Sequence, residues 1–382
     1  MTQATPGAGA AASTTSTPRA DGFTLPARFE PHQRHLLSWP CREDLFGPLM
    51  DDARREWAEV ARGIARFEPV TVVVDPAQAD EAHEVLLGEA AGACDEVPPA
   101  FPIDLLPIPL DDSWIRDNGP IFVRGRDGEV ALVKFGFDGW GEHFTPYDKD
   151  AEVPERIAEA WGVRCYEAPF VLEGGAFNTD GRGTLLTTEQ CLLHHRNLGL
   201  SRRDNEEMLK EWLGVEQVIW LPYGLVEDSG PLSTSGHVDD VAQFVAPGVV
   251  LAQTCEPDNV NYSRLQENLE VLEAARDAAG RRLEVVESPL LPYVSGVGAG
   301  LDGVSGPGAG ILMPAPYVNM VFVEGAVLLP LTGAEGEADL HAQIGELVGR
   351  EPVGLPTELS AFGGGGLGCI TQQVPAGPFA PR

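Results

Sequence analysis

Residues 322–329 read FVEGAVLL: an aromatic-led apolar pair, a turn at Gly325 and a Val/Leu-rich return. That pattern predicts a β-hairpin, because the return needs a residue that tolerates positive φ between two β-favouring runs. Working outward, three more segments follow the same plan: Phe122-Val123 to Lys134-Phe135 (turn Gly125, Gly128), Phe177-Asn178 to Leu186-Thr187 (Gly181, Gly183) and Phe244-Val245 to Leu251-Ala252 (Gly248). Each is followed by an amphipathic helical pattern, at Pro154–Trp161, Arg203–Leu213, Ser263–Ala279 and Glu337–Val348. A short apolar strand then follows, near Val163–Tyr166, Gln217–Trp220, Leu283–Val286 and Pro352–Leu355. The unit is ββαβ. A fifth copy assembles from both ends of the chain: strands Cys369–Val374 and His35–Trp39, helix Asp51–Phe67 and outer strand Val70–Val74. The expected fold class is α/β, a five-bladed propeller of ββαβ pseudo-repeats that disposes of its sheet edges by radial repetition. It forms one domain over 26–376, between a disordered tail at 1–25 and a short C-terminal tail at 377–382.

Composition narrows the function. The 382 residues carry 26 Lys+Arg against 58 Asp+Glu, a net charge of −32, which leaves no basic face for nucleic acid. No run of about 20 apolar residues offers a membrane span. The first twenty residues lack the basic and apolar regions of a leader, so a cytoplasmic location is expected. Six cysteines without CxxC spacing argue against a zinc ribbon or a disulfide framework. The acidity suits a small cationic substrate. Residues 295–310, SGVGAGLDGVSGPGAG, hold seven glycines and are expected to form a mobile loop, either a gate over a site or an inert insertion.

Polar residues gather before the first strand of the hairpins: Asp111-Asp112-Ser113-Trp114-Ile115-Arg116-Asp117, Glu173-Gly174-Gly175, Gly236-His237-Val238-Asp239-Asp240 and Gly363-Gly364-Gly365-Gly366-Leu367-Gly368-Cys369. In a ring of modules, equivalent positions meet at one end of the axis, which places Asp117, Glu173, His237, Asp239 and Cys369 in one pocket. His237 and Asp239, two apart on an expected strand, share a face. Each has a plain structural explanation taken singly: a satisfied histidine, a turn cap, a glycine linker. Their shared position in the module weighs against all of these together. Buried carboxylates require a cation, metal or organic. A planar guanidinium fits better than a metal, because its N–H fork pairs with carboxylates bidentately while the mixed thiol and hard-oxygen set suits no one metal. Cys369 is then the nucleophile and His237 the proton carrier. Adjacent His194-His195 are expected in a loop and not as metal ligands.

In the blocks DDSWIRDNGPIFV (111–123), LEGGAFNTDGRGTLLTTEQCLL (172–193), IWLPYGLVED (219–228), GHVDD (236–240), PYVNMVFVEGAVLLP (316–330) and CITQQVP (369–375) the sequence resembles the agmatine deiminase and bacterial-type peptidylarginine deiminase family of the pentein superfamily. The resemblance runs from about Pro31 to Pro375. It implies hydrolytic deimination of a guanidine without cofactor or metal. Agmatine is the leading substrate and N-carbamoylputrescine with ammonia the products; arginine, peptidyl-arginine or another guanidine are alternatives, as are an amidinotransferase and a non-catalytic binding protein. A homo-oligomer is compatible with it. By motif, Cys369 resembles the family nucleophile, His237 the general acid/base, Asp117 and Asp239 the guanidinium-binding carboxylates and Glu173 a supporting carboxylate. Trp114 is expected to line the substrate channel, and Gly366 the pocket wall. Two departures stand out: Gly366-Leu367-Gly368 where relatives have Asn-x-His, and Asp240 where they have Asn.

Overall fold

The computed structural model describes residues 16–88, 97–230, 233–292 and 314–382; the glycine-rich segment 295–310 lies outside them. Among the described residues the strands form five small sheets. In four of them a hairpin pairs antiparallel and its return strand pairs parallel with the strand that follows the helix. The first joins Ile121–Gly125, Val130–Gly136 and Cys165–Val171, and the second Phe177–Thr179, Thr184–Thr188 and Gln217–Leu221. The third joins Ala242–Ala246, Val249–Thr254 and Glu284–Pro289, and the fourth Val321–Val323, Ala326–Leu331 and Glu351–Pro356. The fifth sheet pairs Thr371–Pro375 antiparallel with His32–Ser38, then Val70–Val74 and Ile103–Pro107 in parallel, so both ends of the chain meet in one sheet.

The helices follow the patterns that foretell them. Arg202–Leu213 starts with a capping box, Ser201 with Asp204, and ends at Gly214 in the left-handed region. Met50–Ala65 buries Trp57, Val60, Ala61 and Ile64 at helical spacing. The third helix is Tyr262–Ala274, shorter than the expected Ser263–Ala279, because the chain turns extended at Ala275 and enters a turn about Asp277 and Gly280.

The core is divided among five apolar clusters, each drawing on two consecutive modules. Val133, Phe135 and Tyr166 pack with Leu185 and Trp220. Leu186 and Leu221 pack with Phe244 and Leu269. Leu251 packs with Phe322 and Leu340. Val321 and Leu328 pack with Leu37, Trp57 and Ile64. Leu36, Val73 and Val374 pack with Phe122 and Leu132, joining the fifth module to the first. At about 1.5–3 kcal/mol for each large apolar side chain buried, these seams hold neighbouring modules in register.

Two expectations about the ends are corrected. Residues 16–25 are not a tail: Phe23 and Thr24 pair with Gly125 and Arg124, Phe23 is buried, and Leu25 N–H donates to the Leu213 carbonyl. At the other end, Val130 N–H donates to Pro378 and Arg164 N–H to Ala380, with Phe379 stacked on Trp161, so 377–382 extends the first sheet. No helix among the described residues is long and apolar enough to cross a membrane.

Candidate active site

Each module contributes a polar residue immediately before its first hairpin strand, and these residues meet. Asp117 lies on the single turn Ile115–Asn118, and Glu173 on the turn preceding Phe177. His237 caps the 3-10 turn Val238–Asp240 and Asp239 lies within it; this replaces the expected strand, so their convergence comes from the turn and not from alternation along a strand. Asn319 precedes Val321. Cys369 lies in the turn ahead of Thr371 rather than on the strand itself.

Gly175 is the meeting point. A Cβ there would lie 2.4 Å from His237 Nδ1, 3.0 Å from Asp117 Oδ1 and 3.1 Å from Asp239 Oδ1, so only glycine admits all three. Its N–H donates to Asp117 Oδ1 at 2.9 Å, and its carbonyl accepts from Asp239 N–H at 3.3 Å. The His237 ring lies between Asp117 Oδ2 and Glu173 Oε2, each 3.8 Å from a ring nitrogen. The Asp228 carboxylate accepts from the N–H groups of Thr234, Gly236 and His237 and holds that loop in place.

The buried carboxylates are only partly satisfied. Glu173 Oε1 accepts from Arg196 Nε at 2.5 Å, Asp239 Oδ2 from both terminal nitrogens of Arg28 at 3.2 Å, and Asp117 Oδ2 from Trp140 Nε1 at 3.0 Å. Glu173 Oε2, Asp239 Oδ1 and both His237 ring nitrogens are left buried without a hydrogen-bond partner. Burial would raise Glu173, but Arg196 and His237 hold it at about 2. Asp117 is pushed up to about 6 by burial, with Asp239 and Glu173 adding to the effect of burial against His237. His237 is desolvated, yet Asp117 and Glu173 hold its pKa well above the usual imidazole range. Burial, then Asp239, Asp240 and Asp117, push the Cys369 thiol well up. A cation bound beside the thiol would offset the carboxylates that hold it protonated.

Cys369 Sγ lies 3.6 and 3.7 Å from the amide nitrogen and oxygen of Asn319, whose Oδ1 accepts from Gly368 N–H at 2.6 Å. A small cavity opens onto the sulfur, lined by Trp114, Asp117, Trp140, Phe144, Thr234 and Gly363–Gly365. A second cavity of similar volume, lined by Arg28, Arg116 and Gln372, contains none of the five expected site residues. Two thiol–carboxylate groupings, Glu173/Cys191/His237 and Asp239/Asp240/Cys369, have donor atoms close enough to take a cation.

The family model for Porphyromonas-type peptidyl-arginine deiminase matches residues 24–375. The chain belongs to that family. Among its relatives, the agmatine deiminase of Pseudomonas fluorescens is 40% identical over 377 residues, covering 94% of this chain and 98% of the relative. The agmatine deiminase of Pseudomonas aeruginosa is 39% identical over 376 residues, covering 95% and 98%. In three dimensions the chain superposes on the agmatine deiminase of Enterococcus faecalis with TM-score 0.81 at 33% identity, covering 95% and 98%.

The five residues singled out in this deiminase family member come together, and Trp114 lines the cavity beside Cys369. Gly366 does not line it: a Cβ there would face Asn319 Oδ1 at 2.9 Å, whereas at Gly365 it would lie 2.6 Å from the Trp114 ring and 3.3 Å from Sγ. His194 ends the helix Glu189–His194 and His195 caps it, in place of the expected loop. Sequence reasoning missed Asn319, Arg28, Arg196 and Trp140. Asn319 was within reach, because the repeat reserves a polar position before every first hairpin strand and the fourth module was left without one.

Proposed function

We propose that the protein hydrolyses agmatine to N-carbamoylputrescine and ammonia, with Cys369 as nucleophile. The observation that carries the site assignment is the convergence of Asp117, Asp239 and His237 about Gly175, with Asp239 close to Cys369 and with Asp117 and Cys369 lining one cavity; agmatine itself rests on the named activity of relatives near 40% identity over almost the whole chain. On this reading the five sheets are the blades of an α/β propeller, supported by core clusters that link each module to the next and the last to the first.

The guanidinium lies between the free Oδ1 of Asp239 and the Asp117 carboxylate, which orient its planar carbon toward sulfur. Its charge offsets the carboxylates that hold the thiol protonated, so substrate binding releases the thiol proton to solvent and leaves the thiolate. Thiolate attack forms an S–C bond. Protonated His237 gives its proton to one nitrogen, the C–N bond breaks and ammonia leaves. The amidino-thioether is then attacked by water, whose proton goes to His237, and the C–S bond breaks to return the thiolate and release the ureido product. Glu173, held by Arg196, keeps the imidazole in position. The five described cysteines are free, in keeping with a cytoplasmic enzyme.

The test is a panel of agmatine, arginine, a blocked peptidyl-arginine and simpler guanidines, assayed for ammonia and ureido product. Agmatine should have the highest kcat/KM. A higher value for arginine or the peptide would overturn the substrate assignment.

A further inference from the structure

A second group of buried donors lies outside the active site, in the fifth module. His32 and His35 are three apart on the strand His32–Ser38, where alternation would send them to opposite faces. The register with Thr371–Pro375 shifts between Val374 and Pro375: Val374 is opposite Arg34 and Pro375 is opposite His32. That bulge absorbs one residue and brings both rings to one side, with centroids 5.0 Å apart. Glu68, on the turn between the helix Met50–Ala65 and the strand Val70–Val74, points its carboxylate at both rings: Oε1 is 2.5 Å from His35 Nδ1 and 3.5 Å from His32 Nδ1. The three side chains are 2%, 3% and 6% exposed.

His32 Nε2–H donates to the carbonyl of Arg28 at 2.8 Å, so in the neutral ring Nδ1 carries the lone pair that faces Glu68. His35 Nδ1 lies within hydrogen-bonding distance of Glu68 Oε1, and neither atom has a partner outside this group of three. The guanidinium of Arg350, the cation near Glu68, donates instead to the carbonyls of Val323 and Phe29. Two imidazole nitrogens and a carboxylate oxygen therefore converge, and a metal ion would displace the proton shared there.

We propose that His32, His35 and Glu68 form a zinc site. Two imidazole nitrogens and one carboxylate oxygen are a known zinc set, with the fourth tetrahedral position left to water. Donors around tetrahedral zinc are about 3.3 Å apart, from bond lengths near 2.0–2.1 Å; the His32–Glu68 spacing of 3.5 Å already matches, and the His35–Glu68 spacing of 2.5 Å opens by rotation of Glu68. The Arg28 carbonyl is the outer partner that fixes a ligating histidine. The same residue's guanidinium clamps Asp239, so the zinc site abuts the support of the active site.

The experiment titrates Zn²⁺ by calorimetry into the metal-free full chain carrying Cys369→Ala, with and without Glu68→Gln or His35→Asn, and repeats it with Co²⁺ followed by absorption. One equivalent should bind, and each variant should weaken it by at least about tenfold. The Co²⁺ form should show visible d–d bands without the intense near-ultraviolet thiolate band that binding at Cys191 would give. Glu68→Gln keeps the side chain's size and stands if His35→Asn does not fold. No Zn²⁺ uptake, uptake unchanged in the variants that fold, or a thiolate band in the Co²⁺ form would each overturn the site.

Discussion

The stretch Asp111 to Asn118 feeds two buried acidic clusters that differ in kind. At its start, Asp112 accepts from Arg42 Nε at 2.6 Å and from Ser113 N–H, while Asp150 Oδ1 accepts from the N–H groups of Asp111 and Asp112. At its end, Asp117 joins Glu173, Asp239, His237 and Cys369. Burial raises carboxylates in both clusters, Asp112 and Asp117 to about 6 and Asp150 to about 8. A perturbed pKa therefore does not separate them. Both clusters leave buried oxygens unpaired, Asp150 Oδ2 in the first and Asp239 Oδ1 and Glu173 Oε2 in the second; only the second stands beside a thiol that opens to a cavity. A nucleophile open to a cavity, set among the carboxylates, marks the site; a buried acidic cluster without one marks a scaffold.

The largest effect that tests this division is at the sulfur. Cys369→Ala should lower ammonia release by at least about four orders of magnitude, as loss of a nucleophile does elsewhere, and leave the melting temperature almost unchanged. Cys369→Ser should do nearly the same. Residual turnover above a trace would remove the covalent route.

Next come the two carboxylates. Asp117→Asn and Asp239→Asn should each lower kcat/KM by about two to four orders of magnitude, from roughly 3–5 kcal/mol lost when a buried cation loses one partner. Their stabilities should differ. Asp239→Asn also strands the buried Arg28 guanidinium, so it should unfold at a clearly lower temperature than Asp117→Asn, whose nearest donors are Trp140 and Gly175. Equal melting temperatures would mean that Arg28 does not depend on Asp239.

The contrast also explains what the sequence makes legible. The hairpins were readable because Phe122, Phe177, Phe244 and Phe322 each lead a strand that reaches a glycine turn, a local pattern. The polar positions before them could be placed in one pocket because repetition turns a sequence position into a spatial one. The partners could not: Arg28 reaches Asp239 across 211 residues, and Arg196 has no repeat counterpart to announce it. The ends were misread because Phe23 and Phe379 pack on strands far away in sequence, which composition alone cannot foretell.

A smaller effect is expected at the cavity wall. Gly365→Ala places a methyl group against Trp114 and Cys369, so it should lower kcat/KM by about ten- to a hundredfold through misplaced substrate, with a melting temperature near that of the parent. Kinetics unchanged from the parent would remove the Trp114 side of the cavity from the substrate path.

The smallest effect on turnover should come from the scaffold cluster, where stability responds instead. Folded Asp150 keeps its proton up to about pH 8, against 3.8 for the ordinary carboxyl. Between those values the folded state binds more protons than the unfolded one, so this residue's contribution to stability falls as pH rises. Asp150→Asn retains the Oδ1 that accepts from Asp111 and Asp112 and removes the charge. Its advantage over the parent should be near zero at pH 4, grow through neutrality and level off above pH 8 at several kcal/mol, measured by denaturant unfolding at each pH. Glu173 runs the other way: held at about 2, it contributes stability above pH 4.5 that is lost as pH falls toward 2. Asp150→Asn should keep kcat/KM within about twofold of the parent; a loss like that of Asp117→Asn would place both ends of the stretch in the chemistry and dissolve the distinction between scaffold and site.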